Sequence, residues 1–262
     1  MARKHDDLER LLRGMFLATM ADNFTEVAVR AAREGLTHEE FLYELVLLER
    51  ENRDHKKIER LLTDSKLPRE KTFEALKMER YPLALRQQMD MLRTGTFLEG
   101  AVNVVAIGEP GTGKSHLTAA LGHALVQARR SVLWTSTFAV VQRLLAAKRD
   151  LRLPKELAKL DKFECLILDD IGYVQQDREE MEVLFTLLAE RYERRSTVIS
   201  TNLVFSEWDQ IFKNPMTTMA AIDRVVHHSV IIDLAGVESY RVKEAAEKQK
   251  AKKAIPGQEE SH

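Results

Sequence analysis

Two patterns of apolar residues divide the chain. Up to residue 67 they recur at helical spacing, as in Leu8, Leu11, Leu12, Met15 and Phe16. No proline precedes Pro68, and the only glycines there are Gly14 and Gly35. Thr37 and Glu40 have the spacing of a capping box ahead of an apolar face of Phe41, Leu42, Leu45 and Leu48. That spacing predicts a helix running to about Leu62. From Ala101 the pattern changes to short apolar runs alternating with amphipathic stretches. Strands are predicted at 102–107, 131–136, 164–169, 197–202 and 229–233. Helices are predicted at 114–128, 137–148, 155–160, 178–194, 206–212 and 217–226. Runs such as Cys165-Leu166-Ile167-Leu168 suit strands buried on both faces, so the alternation predicts an α/β fold with a parallel sheet. Pro68 and Pro82 punctuate the stretch between, where Leu83–Leu92 can form a short helix that Thr94-Gly95-Thr96 ends. The tail from Lys243 is rich in Lys, Glu and Ala, and reads as frayed helix and then disorder. The expected organisation is a helical N-terminal domain (1–67), a connector (68–100), an α/β domain (101–242) and a charged tail (243–262).

Composition narrows this only a little. A length of 262 residues allows one large domain or two small ones, and 44% hydrophobic residues can build a core. The formal net charge of −1 gives no overall attraction to a polyanion, so any such contact must come from a local patch. The lone Cys165 cannot form an internal disulfide, which suits a reducing compartment. No apolar run is long enough to span a bilayer and no signal peptide is visible. A cytoplasmic protein with no membrane partner is expected.

The chemistry centres on Gly108-Glu109-Pro110-Gly111-Thr112-Gly113-Lys114-Ser115, which fits G-x-x-x-x-G-K-[ST]. Gly108, Gly111 and Gly113 let backbone amides turn inward around phosphate oxygens. Lys114 supplies a cation for the outer phosphates and Ser115 a hydroxyl for Mg²⁺. The helix continuing through His116 aims its positive end at the same phosphates. A β-rich run precedes the loop, so a chance glycine turn is a poor account of it. Downstream, Asp169 and Asp170 follow four apolar residues, at the end of a buried strand. In a P-loop sheet that end adjoins Lys114 and Ser115. Asp169 would help hold Mg²⁺, and Asp170 could orient or deprotonate the attacking water. The alternative is a strand running into an ordinary turn, since Ile171-Gly172 follows. Asn202 ends another β-run and could contact the γ-phosphate or the water. Arg224 could stabilise charge in a neighbouring subunit's site, or simply pair with Asp223 at the surface. No metal-ligand spacing appears beyond the Mg²⁺ site.

Charge is lopsided between the second and third strands. From Arg129 to Lys162 nine basic residues oppose three acids, which leaves a net +6. This is either a phosphate-backbone surface for nucleic acid, centred on Lys148, Arg149, Arg152 and Lys155, or a solubilising face. The basic residues Arg50, Arg53, Lys56, Lys57 and Arg60 interleave with acids, which suits a solvated helix face with i,i+4 pairs; the other reading is a surface through which the N-terminal domain contacts DNA or a partner protein.

Taken together these residues resemble the IstB family, AAA+ helper ATPases of insertion-sequence transposons, with DnaC-type helicase loaders as cousins. The resemblance covers most of the chain. It runs through Leu42–Glu49, Lys71-Thr72-Phe73, Gly108–Leu117, Leu166–Tyr173 and Glu190-Arg191-Tyr192, and on through Ser200-Thr201-Asn202, Glu207-Trp208, Asp223-Arg224 and Ser239-Tyr240-Arg241. It implies an AAA+ P-loop NTPase fold with a parallel five-stranded sheet and an N-terminal helical domain. It also implies ATP and Mg²⁺ as cofactors, assembly of a homo-oligomer on double-stranded DNA, and recruitment and stimulation of a transposase. Asn202 would be the first sensor and Arg224 the arginine finger. About thirty residues follow Ile232, too few for the full lid domain that would carry a second sensor, and Arg241 is the one candidate for that role. The second acid is Asp170 where many AAA+ proteins carry Glu, so its role rests on a shorter side chain. A helicase loader is the alternative within the fold. A P-loop small-molecule kinase would need an acceptor pocket and a lid, and the sequence offers neither.

Overall fold

The computed structural model describes residues 2–172, 177–212 and 215–240. The chain divides into two compact units, residues 1–60 and residues from Leu61 onward.

The first unit holds α1 (Ala2–Gly14), α2 (Ala18–Glu34) and most of α3 (His38–Ser65). Leu12, Met20, Ala21, Phe24, Val27 and Leu45 form its core. The capping box forms: Glu40 N donates to Thr37 Oγ1 at 3.2 Å and Thr37 N to the Glu40 carboxylate at 2.8 Å. Glu49 of α3 is buried and caps α2, accepting from Thr19 N (2.9 Å) and Met20 N (3.2 Å), with Arg53 Nε at 2.7 Å. Burial pushes its pKa up, but Arg53 and the two amides outweigh burial and hold it below the ordinary value. One sequence expectation changes. Of the stripe Leu8, Leu11, Leu12, Met15 and Phe16, only Leu12 is buried. The reason is that α1 stops at Gly14, so Phe16 falls in the turn before α2. There it takes a left-handed φ of 60° and its carbonyl accepts from Arg53 Nη2 at 2.5 Å.

The second unit is built on five parallel strands: β1 (Asn103–Ile107), β2 (Val132–Ser136), β3 (Cys165–Asp169), β4 (Ser196–Thr201) and β5 (Ser229–Asp233). Their order across the sheet is β2-β3-β4-β1-β5, so β4 lies between β1 and β3. Every strand forms within a residue or so of its predicted range. The helices are α4 (Leu83–Arg93), α5 (Lys114–Gln127), α6 (Thr137–Arg149), α7 (Leu153–Leu160), α8 (Arg178–Arg191), α9 (Asp209–Phe212) and α10 (Pro215–Val226). Asp177 and Glu180 close a second capping box at the start of α8. The predicted helix 206–212 is divided. Phe205–Glu207 make a 3₁₀ turn and α9 follows. The tighter turn suits Trp208, which is fully buried in the core with Ile211 and Phe212, beside Phe205 at 5.3 Å between ring centroids. Among the described residues no helix is long and apolar enough to cross a membrane.

Arg191 is buried at the end of α8. Its guanidinium donates to the carbonyls of Leu160 (3.1 Å), Phe163 (3.1 Å), Glu164 (3.5 Å) and Ser196 (2.8 Å), which joins α7, the start of β3 and β4. Burial lowers its pKa to about 10, so it remains charged at neutral pH. Arg191→Met leaves those carbonyls without donors and is expected to cost about 2–4 kcal/mol, read as a lower urea midpoint at unchanged slope. The Cys165 thiol is fully buried, and burial pushes its pKa up to about 12. The native protein should therefore resist maleimide at pH 8 and react stoichiometrically only once unfolded, which makes Cys165 a reporter of unfolding of the sheet.

Candidate active site

β1 runs straight into the glycine-rich loop, whose start is tethered to β4 by Gly108 N donating to Thr201 O at 3.3 Å. Lys114 is the first residue of α5 and is mostly buried. Its ammonium donates to Gly108 O at 2.6 Å and Glu109 O at 2.8 Å, which curls the loop around the charge. Thr112 Oγ1 folds back onto Glu109 O at 2.9 Å, so this side chain shapes the loop from within. Gly113 has φ 99°, and a Cβ there would lie 2.3 Å from the Tyr81 hydroxyl, so only glycine fits. Pro110, Gly111, Gly113, Lys114, Ser115 and His116 line a cavity of about 590 Å³, within the range of small-molecule sites.

The same cavity is lined by Asp170, Ser200 and Asn202. Sheet order explains the meeting. β3 ends at Asp169 and β4 at Thr201, beside β1, so the acids and Asn202 emerge at the strand ends that face the loop. Asp169 is buried. Its carbonyl accepts from Thr137 Oγ1 at 3.1 Å, and its Oδ1 from Ser200 Oγ at 2.5 Å. Asp170 sits in the left-handed region with φ 63° and lines the cavity. Gly172 makes room for Asn202: a Cβ there would lie 2.4 Å from Asn202 Oδ1 and 3.0 Å from Leu203 Cγ. Asn202 Oδ1 is buried and has no hydrogen-bond partner among the described residues. One carboxylate at a strand end and one hydroxyl on the loop suit Mg²⁺, which is usually held by one or two carboxylates together with substrate phosphates. Among the described residues no group of three or more His, Cys, Asp or Glu is placed to hold a metal without such help.

The far wall is one the sequence reading did not identify as part of the site. Lys71, Ala75 and Leu76 of the connector, and Tyr240 beyond β5, complete the lining. Tyr81 donates its hydroxyl to Thr112 O at 3.2 Å, and burial raises its pKa, so it stays a protonated donor. Tyr240 N donates to Gly111 O at 2.8 Å. Arg80 joins these two segments, stacked on the Tyr240 ring at 4.3 Å and donating to Glu238 O at 3.2 Å. The His116 ring lies 2.9 Å from Thr72 O, holding the connector on α5. Residues 81 and 240 stand far from the loop in sequence; nothing in its local pattern marks Tyr81, and Ser239-Tyr240-Arg241 carries the family resemblance without placing Tyr240 at the loop.

Two groups lie elsewhere. Arg224, in the last turn of α10, stacks on Phe185 of α8 at 4.7 Å. Its Nη1 is buried without a hydrogen-bond partner among the described residues. Its backbone carbonyl accepts from Asn103 Nδ2 at 3.4 Å, at the opening end of β1, whereas the loop leaves the closing end. Roughly 13 Å of strand separates the two ends, and Arg224 is not among the described residues that line the loop's cavity. Arg241 and Tyr173 lie outside the described residues. The basic stretch forms the α6–α7 hairpin. There Lys148 pairs with Glu182 at 2.9 Å and Arg152 with Asp150, while Arg149 and Lys155 are exposed with no ion pair among the described residues. Arg143 and Lys159 share Glu156. Arg143, Arg152, Lys155 and Lys159 rim a cavity of about 240 Å³ between the helices.

Comparison with known proteins agrees with this geometry. Residues 11–248 match the family of IstB-like ATP-binding proteins. The chain is 42% identical over 238 residues to an insertion-sequence ATP-binding protein of Sinorhizobium fredii, covering 90% of this chain and 80% of that one. It is 34% identical over 238 residues to the IS21 ATP-binding protein of Pseudomonas aeruginosa, covering 91% and 89%. Its fold is similar to that of AMPPCP-bound DnaA from Aquifex aeolicus, with a TM-score of 0.53 at 16% identity, over 74% of this chain and 59% of that one. With a phosphate loop, a pair of acids at the end of β3 and an AAA+ sheet in place, the chain belongs to the IstB-like ATP-binding proteins and is an ATPase of the AAA+ P-loop fold.

Proposed function

We propose that the protein is an ATP-dependent DNA-binding helper of transposition, which assembles on duplex DNA and recruits and stimulates the transposase of its own element. The observation that carries this reading is the convergence of Lys114, Ser115, Asp170 and Asn202 on one cavity, in a chain whose relatives are insertion-sequence ATP-binding proteins. That kinship favours a transposition helper over a helicase loader. The protein would work in the cytoplasm, where its single thiol stays reduced.

In the proposed mechanism the loop amides and Lys114 bind the β- and γ-phosphates. Ser115 and Asp169 would hold Mg²⁺, which supplies charge neutralisation to the phosphates when bound. Asp170 orients the attacking water and takes its proton. Asn202 contacts the γ-phosphate or that water. Arg224, remote from its own loop, acts at a neighbouring copy, which makes the active site a property of the oligomer. The α6–α7 hairpin meets the DNA backbone. Its carboxylate partners are surface ion pairs of small net strength, so phosphates can displace them.

Lys114→Ala should weaken nucleotide binding about 10- to 100-fold, measured with a fluorescent ATP analogue. With it should go any ATP-driven assembly seen by light scattering. Wild-type protein that stays monomeric with ATP and ignores duplex DNA at low salt would sink the reading. A pull-down that recovers a hexameric helicase in place of transposase would turn it to a loader. Removing the charges of Lys148, Arg149, Arg152 and Lys155 together should flatten the log K against log salt slope by up to about 3.6, and of Arg149 and Lys155 alone by about 1.8. An unchanged slope would move the DNA surface elsewhere.

A further inference from the structure

We propose that Ser200 is a positioning residue for ATP hydrolysis, whose hydroxyl holds Asp170 in the conformation from which it acts on the attacking water. The inference rests on the role assigned to Asp170 above. Ser200 is fully buried and is the penultimate residue of β4. Its hydroxyl donates to Asp169 Oδ1 at 2.5 Å and accepts from Asp170 N at 2.8 Å. Its carbonyl accepts from Ile171 N at 3.0 Å. One residue therefore grips three consecutive positions of the turn that leaves β3.

That turn needs an external grip. The parallel register between β3 and β4 ends at Leu168 and Ile199, and that between β3 and β2 ends one residue later at Asp169, so among the described residues no strand register extends to Asp170. Immediately afterwards Asp170 takes φ 63°, a conformation that L-residues other than glycine seldom adopt and that persists where the surroundings over-determine it. The next residue on β4 behaves differently. The Thr201 hydroxyl stays local, accepting from Leu203 N at 3.0 Å. Of these two β4 hydroxyls it is that of Ser200 which reaches across to the acids, and it binds both, the carboxylate of one and the amide of the other. Without it the Asp170 amide loses a bond that holds the left-handed turn, and the carboxylate shifts relative to the water. Nucleotide affinity measured without Mg²⁺, where the Asp169 carboxylate takes no part, is set by the loop and Lys114 and should change little.

The test is a double-mutant cycle on the full chain, reading steady-state turnover, affinity for a fluorescent ATP analogue and melting temperature. Ser200→Ala should lower kcat by about 30- to 100-fold, the scale of a 1 Å misplacement. Affinity, read without Mg²⁺ so that Asp169 takes no part, should stay within about threefold of wild type. Ser200→Thr, which keeps the hydroxyl, should recover most of the lost turnover. In an Asp170→Asn background, Ser200→Ala should add less than about twofold, because its effect passes through Asp170. Three outcomes overturn the proposal. The first is Ser200→Ala turnover that matches wild type. The second is a loss that multiplies fully with that of Asp170→Asn. The third is a fall of affinity and melting temperature along with turnover, or a variant that fails to fold, which makes Ser200 structural. If Asp170→Asn alone leaves turnover intact, the role of Asp170 fails, and the role of Ser200 with it.

Discussion

A loop that turns its amides inward toward phosphate must turn its carbonyls outward, and each of those carbonyls needs a donor. That requirement organises the second unit. Lys114 donates to Gly108 O and Glu109 O, Tyr81 to Thr112 O, and the Tyr240 amide to Gly111 O. Gly113 O opens the hydrogen-bond ladder of α5 through the amides of His116 and Leu117. The donors come from the loop itself, from the connector and from the segment beyond β5. Any change in the loop's shape on binding phosphate therefore bears on two segments that are remote in sequence, and Arg80 couples them by bonding to Glu238 O and stacking on Tyr240.

β4 supplies the second constraint. Lying between β1 and β3, it fixes the spacing between the loop and the acids by backbone hydrogen bonds on both sides. Ser200 and Asn202 come from its closing end and fill the gap that the sheet order creates. A buried carboxylate such as Asp169 needs a donor, and Ser200 provides one without adding charge beside the nucleotide. The arrangement keeps the acids ordered while leaving Asp170 on the cavity wall.

What could be read from the sequence was local. The loop, the strand ending in Asp169 and Asp170, the capping box at Thr37 and the five strands each rest on residues adjacent in the chain. What could not be read depends on topology. Tyr81, Tyr240 and Ser200 gain their roles only once β4 sits between β1 and β3 and the segments around residues 81 and 240 pack against the loop. Arg191 belonged to a recognisable helix-end pattern, yet nothing in that pattern signals a buried guanidinium bonded to four carbonyls. The α1 stripe misled because periodicity reports a shared face and says nothing about what covers it. Trp208 misled in the opposite sense: its burial divided a stretch that helical spacing had joined. The Asp177–Glu180 capping box was legible by spacing and was not read.

The position of Arg224 gives the sheet a direction. Phosphate chemistry gathers where the strands close, and Arg224 lies where β1 opens, its carbonyl held by Asn103 and its guanidinium against Phe185. A guanidinium nitrogen buried without a hydrogen-bond partner among the described residues carries a desolvation cost that stacking on an aromatic face only partly offsets. A charge kept at such a cost gains most from an anionic partner that arrives from outside the chain. Because its own loop is a full strand length away, that partner, if it is a nucleotide phosphate, belongs to another copy. The geometry that separates Arg224 from its own loop is therefore the same geometry that would make hydrolysis depend on assembly.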